Sequence, residues 1–347
     1  MKKLSALLLT VLMVGATLTG CGSKASDSTS KSDGATKAAT VQKVKLQLKW
    51  LPQSQFMGYY VAKEKGYYKD EGIDIEILPG GSDIIPEQNV SNGVADIGVT
   101  WVSSLMTYQA QGYELQEVAQ MFQKSGLLLT SKKTAGINSP ADLKGKKVAN
   151  WFGGNEYEVL ALLQKYNLNK DKDLKLVQQD YTMDQLKEGS VDAASAMTYN
   201  EFGLLLESGI SKDDLSVIDM NKEGVAMLED CLFVNSKWAT KNKDLLVHFL
   251  KASIKGWVDA CKDPAAAGKT VYDVDKSVSL DHQVYMAKEV AKLAAPEGFD
   301  ASKIGYIDMS AVKKTAEYLK LYNKDLAKTP VVDGTTFTSD YWKEATK

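Results

Sequence analysis

The sequence predicts an α/β protein of two similar lobes facing each other across a cleft, and three observations predict it. Short runs that alternate apolar and polar residues are interleaved with segments whose apolar residues recur at helical spacing, the pattern of βαβ units and mainly parallel sheets. The pattern runs once, restarts after Lys132-Lys133, and gives way after Asp230, past a strand-like run opening at Cys231, to mostly helical spacing. The length of 347 residues, with 44% hydrophobic and 25% charged side chains, suffices for about two domains at roughly 150 residues each.

The N-terminus sets the compartment. Met1-Lys2-Lys3 precedes the mostly apolar stretch Leu4 to Leu18, which reads as a secretory signal because a spanning helix needs about 20 apolar residues. Leu18-Thr19-Gly20-Cys21 resembles the lipobox of bacterial lipoprotein processing, in which the cysteine is acylated and becomes the new N-terminus. Residues 1–20 are therefore expected to be a signal peptide and 21–43 a lipidated flexible tether, since that stretch has almost nothing apolar to bury. Such a protein sits outside the cytoplasmic membrane, held by lipid through Cys21 without spanning it.

In the body, Val44 to Trp50 alternates as a strand and a helix through Tyr60-Val61-Ala62 leads to Lys65-Gly66-Tyr67-Tyr68. Ile73 to Leu78 alternates again and stops at Pro79-Gly80-Gly81. A short helix around Pro86 to Ser91, a strand at Ala95 to Val99 and a helix from Ser103 to Gln111 follow. The second half opens on Ser139-Pro140-Ala141-Asp142, an N-cap, an N1 proline and an acidic N3. Lys147 to Trp151 is then a strand, Glu156 to Tyr166 a helix and Leu174 to Val177 a strand. Met183 to Glu188, Val191 to Met197, Phe202 to Glu207 and Leu215 to Ile218 continue the alternation. Lobe one is expected at 44–132 and 231–347, with the late helices returning to it, and lobe two at 133–230. The hinge is expected near Lys132 to Gly136 and Asn221 to Asp230.

Composition narrows the partner. All 42 basic residues are lysine, and against 44 acidic residues they leave a formal charge of −2, so no global basic field draws the chain to nucleic acid. The absence of arginine removes the bidentate fork usually chosen for sulfonate, carboxylate or phosphate and tilts the ligand toward neutral. Three cysteines and two histidines offer little for a metal centre, and no cofactor is called for. With Cys21 acylated, Cys231 and Cys261 either pair outside the cell or are two small buried hydrophobes, the simpler reading.

In open parallel sheets ligands bind at the carboxyl ends of strands, which here face the cleft. Trp50, Trp101 and Trp151 stand at such ends, the first two in lobe one and the third in lobe two, where flat indoles can stack a planar ligand. Gln53, Gln55, Gln123, Asn155 and Asn200 lie in neighbouring loops, and amides offer both donor and acceptor to the edge of a heterocycle. Glu156 and Glu201 can accept from a ring NH or a hydroxyl, although Glu156 equally suits the first turn of a helix. Gly80-Gly81 and Gly153-Gly154 permit close backbone approach, yet neither is followed by the Gly-Lys-Ser or Gly-Lys-Thr of a phosphate-binding loop.

The run Leu48-Lys49-Trp50-Leu51-Pro52-Gln53-Ser54-Gln55-Phe56-Met57-Gly58-Tyr59-Tyr60-Val61-Ala62, then Lys65 to Tyr68 and Glu71 to Asp74, resembles the opening of a known superfamily. These are the type II solute-binding proteins of the sulfonate, taurine and thiamine-pyrimidine-synthase-like group. Ser139 to Val148 resembles the same group's second lobe, and the likeness extends from Val44 to about Trp257. It implies the two-lobed type II periplasmic binding protein fold with a ligand cleft between lobes, and a permease and an ATPase of an ABC importer as partners. Pro79 to Ile84, Trp151 to Glu156, Ala196 to Glu201 and Glu223 to Asp230 most resemble the members that capture riboflavin, with binders of a thiamine pyrimidine precursor next. Tyr199, within Ala196 to Glu201, joins the expected lining on this ground. The group also holds thiamine-pyrimidine synthases, which consume an active-site histidine with iron and a cysteine-rich segment. The matching positions here read Phe56 for the histidine and Leu228 to Phe233, with Cys231 alone, for the cysteines. His248 and His282 fall in late helices, so the resemblance implies a binder rather than an enzyme.

Overall fold

The computed structural model describes residues 41–152, 156–180, 182–322 and 331–347. The expected signal peptide, Cys21 and the tether up to residue 40 lie outside the described residues. In chain order the first half runs β1 (Gln42–Gln47), α1 (Met57–Glu64), α2 (Tyr67–Asp70), β2 (Ile73–Leu78), α3 (Pro86–Ser91), β3 (Ile97–Thr100), α4 (Val102–Ala110) and β4 (Leu115–Gln120). The second runs β5 (Leu127–Lys132), β6 (Lys147–Asn150), α5 (Tyr157–Lys165), β7 (Lys175–Gln178), α6 (Asp184–Lys187), β8 (Ala193–Met197), α7 (Glu201–Glu207) and β9 (Leu215–Asp219). After β10 (Cys231–Asn235) come α8 (Ser236–Lys241), α9 (Lys243–Lys262), α10 (Pro264–Val274), α11 (Leu280–Ala294), α12 (Met309–Tyr322) and α13 (Asp340–Ala345). None of the described helices is long and apolar enough to cross a membrane.

Two sheets result, ordered β2-β1-β3-β10-β4 and β7-β6-β8-β5-β9. Alternation is clear where one face meets water: Ile73 and Ile75 are buried while Asp74 and Glu76 are exposed. β3 and β8 are buried along their whole lengths, as strands covered on both faces must be.

Several expectations need correction. Gln42 and Lys43, assigned to the tether, pair with Ile73 and Asp74, so the ordered body starts before Val44. The sheets are mixed rather than mainly parallel, because β10 runs antiparallel to β3 and β4, and β5 antiparallel to β8 and β9. β4 and β5 were not legible as strands: Glu117 and Gln120 are buried polar residues inside β4, and Leu127-Leu128-Leu129 shows no alternation because β5 is covered on both sides. Since β5 belongs to the second sheet, the first crossing lies at Met121 to Gly126, and Lys132 to Gly136 sits within lobe two.

The two crossings lie side by side. The amides of Met121 and Phe122 donate to the carbonyl of Asp230 at 3.0 and 3.2 Å, and Gln120 Nε2 donates to the carbonyls of Glu229 and Asp230 at 2.8 and 3.1 Å. The late helices do not all return to lobe one: α9 packs on α1, but α11 also meets α7, and α12 touches both α4 and α5. Cys231, buried in β10, and Cys261 are both free thiols, which removes the disulfide alternative.

Candidate functional site

The carboxyl ends of both sheets contribute to one narrow gap. From lobe one it is lined by Lys49, Trp50, Gln53, Gln55 and Trp101, and from lobe two by Trp151, Met197, Tyr199, Asn200 and Glu201. Its volume is about 40 Å³, room for a few waters. It adjoins a chamber of about 460 Å³ with which it shares Lys49, Trp50 and Trp151, and that volume falls in the range of small-molecule sites.

Each wall is fixed by local chemistry. Trp50 stands just past β1, its carbonyl accepting from the amide of Gly80 at 2.8 Å. A Cβ at Gly80 would lie within 2.4–2.5 Å of the backbone at Leu48, Lys49 and Trp50, so only glycine permits this approach. Trp101 ends the extended run of β3, and its Nε1 donates to Asp230 Oδ1 at 3.0 Å. Gln53 Nε2 donates to Gln55 Oε1 at 3.0 Å, and Gln55 Nε2 in turn meets both carboxyl oxygens of Asp230 at 3.1 and 2.9 Å. Burial pushes Asp230 up to about 7, against the pull of Gln55, Lys49 and Trp101. Lys49 Nζ lies 5.5 Å from the centre of the Trp101 ring, a cation–π distance.

On the opposite wall, Trp151 follows β6 and its Nε1 donates to the carbonyl of Asp180 at 3.0 Å. Glu201 caps its own turn, accepting from the amide of Met197 at 3.0 Å and from Asn200 Nδ2 at 2.8 Å, while burial raises it to about 7. The remaining oxygen of Asn200 faces His282 Nε2 at 3.0 Å, and His282 Nδ1 lies 2.8 Å from Glu207 Oε1. His282 of α11, expected to play no part, is thus the residue that orients Asn200. Tyr199 packs edge-on against Phe122 of the first crossing, with ring centres 6.0 Å apart.

Two of the expected residues are elsewhere. Gln123 spends its amide on the carbonyls of Gln120 and Tyr306 at 2.7 and 3.1 Å and does not line the gap. Glu156 occupies the residue ahead of α5 and lines neither the gap nor the chamber. Asn155 lies outside the described residues. Sequence reasoning missed Lys49, Met197 and Asp230; the acid pair Glu229-Asp230 in the otherwise apolar stretch from Val225 to Val234 was the available signal for the last.

A second acid cluster sits at the crossings. Ser125 Oγ lies 2.7 Å from Glu229 Oε1 and 3.0 Å from Glu158 Oε2, the amide of Gly126 donates to Glu229 at 2.7 Å and that of Met227 to Glu158 at 2.9 Å. A hydroxyl has one proton to give, so both short contacts are satisfied only when one of the carboxyls is itself protonated. Burial, and then the charge of Glu158, hold Glu229 well above the usual carboxylate range, and burial raises Glu158 as well.

Residues 53–267 match the model of the family described as NMT1/THI5 like. The chain belongs to the NMT1/THI5-like family. Among its relatives, the riboflavin-binding protein RibY of Chloroflexus aurantiacus is 24% identical, the match covering 87% of this chain and 86% of RibY. The 4-amino-5-hydroxymethyl-2-methylpyrimidine phosphate synthase THI13 of Saccharomyces cerevisiae is also 24% identical, over 70% of this chain and 74% of its own. The periplasmic aliphatic sulphonate binding protein SsuA of Escherichia coli superposes with a TM-score of 0.69 at 15% identity, covering 87% of this chain and 99% of SsuA. This likeness establishes the two-lobed periplasmic binding protein fold expected from the sequence.

Proposed function

We propose that this NMT1/THI5-like chain is the solute-binding component of an ABC importer and captures a small neutral heteroaromatic molecule, a flavin such as riboflavin in first place. The observation that carries the reading is the convergence of Trp50 and Trp101 from one lobe and Trp151 from the other on a single gap, with amide and carboxyl groups at its edge. Indoles stack a flat ring for about 0.5–1.5 kcal/mol per pair beyond area burial, and amides read its edge. RibY, similar over most of its length, supports the flavin assignment.

A thiamine-type aminopyrimidine is the second reading, favoured by the narrowness of the gap, about 40 Å³, which suits one ring better than three. Binding is preferred to synthesis because Phe56, wholly buried, stands where the resemblance implies the synthases' histidine. Closure of the lobes about the crossings traps the ligand, and a lipid on Cys21 holds the closed protein near its permease.

Calorimetry and tryptophan fluorescence with riboflavin, the formylated aminopyrimidine and taurine test the reading. Heat and quenching are expected with riboflavin; neither heat nor quenching with riboflavin or the pyrimidine overturns it.

A further inference from the structure

The chamber beside the aromatic gap has its own chemistry. Lobe one contributes Glu87, Ser104 and Tyr108, lobe two Gln178 and Asp180, and Lys49 stands where chamber and gap meet. Glu87 and Ser104 are 1% and 3% exposed, so what little surface they keep is turned to this cavity. One carboxyl oxygen of Glu87 accepts from the hydroxyl of Thr100 at 2.5 Å. Its other oxygen and the hydroxyl of Ser104 have no hydrogen-bond partner among the described residues, and neither is a fully enclosed atom. Nearly buried polar groups seldom stay unpaired, and a polar occupant of the cavity satisfies them.

Charge selects the occupant. Glu87 and Asp180 supply two carboxylates against the single amine of Lys49, with no arginine anywhere in the chain. A phosphate or sulfonate there meets net like charge and no bidentate donor. A hydroxyl instead donates to a carboxylate and accepts from the serine, tyrosine or glutamine. We propose that the chamber is a subsite for a neutral hydroxylated chain carried by the ring in the gap, and that it discriminates against the phosphorylated form of the same molecule. This deepens the heteroaromatic reading and rests on it.

The test is a calorimetric panel on the tagless mature protein: lumiflavin, riboflavin and flavin mononucleotide, with 4-amino-2,5-dimethylpyrimidine, its 5-hydroxymethyl form and the phosphate of that form. The hydroxylated member of at least one series is expected to bind at least about tenfold more tightly than the bare ring and than the phosphate, the scale of about one net hydrogen bond. Ser104→Ala and Glu87→Gln are each expected to lower affinity for the hydroxylated member several-fold while leaving the bare ring unchanged, and Glu87→Gln to narrow discrimination against phosphate. If Glu87→Gln does not fold, the unmodified protein and Ser104→Ala carry the decision. A bare ring captured as tightly as its hydroxylated form, or a phosphate captured more tightly, overturns the subsite and leaves the heteroaromatic reading standing. Capture of none of the six overturns both.

Discussion

Asp230 accepts three hydrogen-bond contacts at once, two from Gln55 and one from Trp101, and so fixes two groups that border the gap. With its acidity moved to about 7, protonation in the neutral range withdraws an acceptor from that set. Capture by the native protein is therefore expected to weaken as pH falls through 7, and Asp230→Asn to bind more weakly with a flattened pH dependence, read as dissociation constants from pH 5.5 to 8.5. A pH-independent constant in the native protein contradicts this role. Trp151→Ala removes one stacking wall and is expected to weaken capture by about 1–3 kcal/mol without unfolding the protein; an unchanged constant assigns that ring to packing alone. The indoles could be read from the sequence because each stands at the end of a run that reads as a strand. Lys49 carries no sequence signal, because a lone lysine at a strand end is usually solvated. Asp230 and His282 act on the gap through partners distant in sequence, Gln55 and Asn200 respectively, and no local pattern announces such a contact.

At the scale of elements, α1 and α9 approach each other closely through glycine. A Cβ on Gly256 would lie 2.3 Å from the carbonyl oxygen of Gly58 and 2.5 Å from Ala62 Cβ, and one on Gly58 would strike the Trp257 indole at 2.2 Å. Alanine inside a helix gains up to about 1 kcal/mol over glycine, but overpacking against backbone costs about 1–3 kcal/mol or more, so the clash decides the sign. Gly256→Ala is expected to lower the thermal midpoint measured by calorimetry; a midpoint equal to or above that of the native protein shows that the helices can separate at little cost. Most elements were legible because each exposes one face and so keeps its periodicity. β4 and β5 were not, since a strand covered on both sides or carrying buried polar residues loses the alternation that marks it. The position of the first crossing was lost with them.

For the molecule as a whole, the buried carboxyls lean one way. Glu117 is raised to about 8 by burial, with both oxygens unpartnered among the described residues, and Asp230 and Glu201 are raised to about 7. The pair Glu158 and Glu229 is raised too. An acid whose folded value exceeds its unfolded value holds its proton in the native state after the unfolded chain has lost its own. Stability contributed by these groups is thus full below the unfolded values near 4–4.5 and falls as pH rises toward 8. The thermal midpoint is expected to be higher at pH 5.5 than at pH 8.5, and Glu117→Gln to reduce that difference. A midpoint that climbs over the same interval contradicts the burial account. Glu229 and Asp230 are neighbours on one backbone, yet the first is fastened beside Ser125 where the halves join and the second grips Gln55 and Trp101. On the proposed reading, a displacement of the Gln55 or Trp101 side chain is expected to reach, through one peptide unit, the residue bolted at the joint, so that a filled cavity and a turn of the halves would work a single lever.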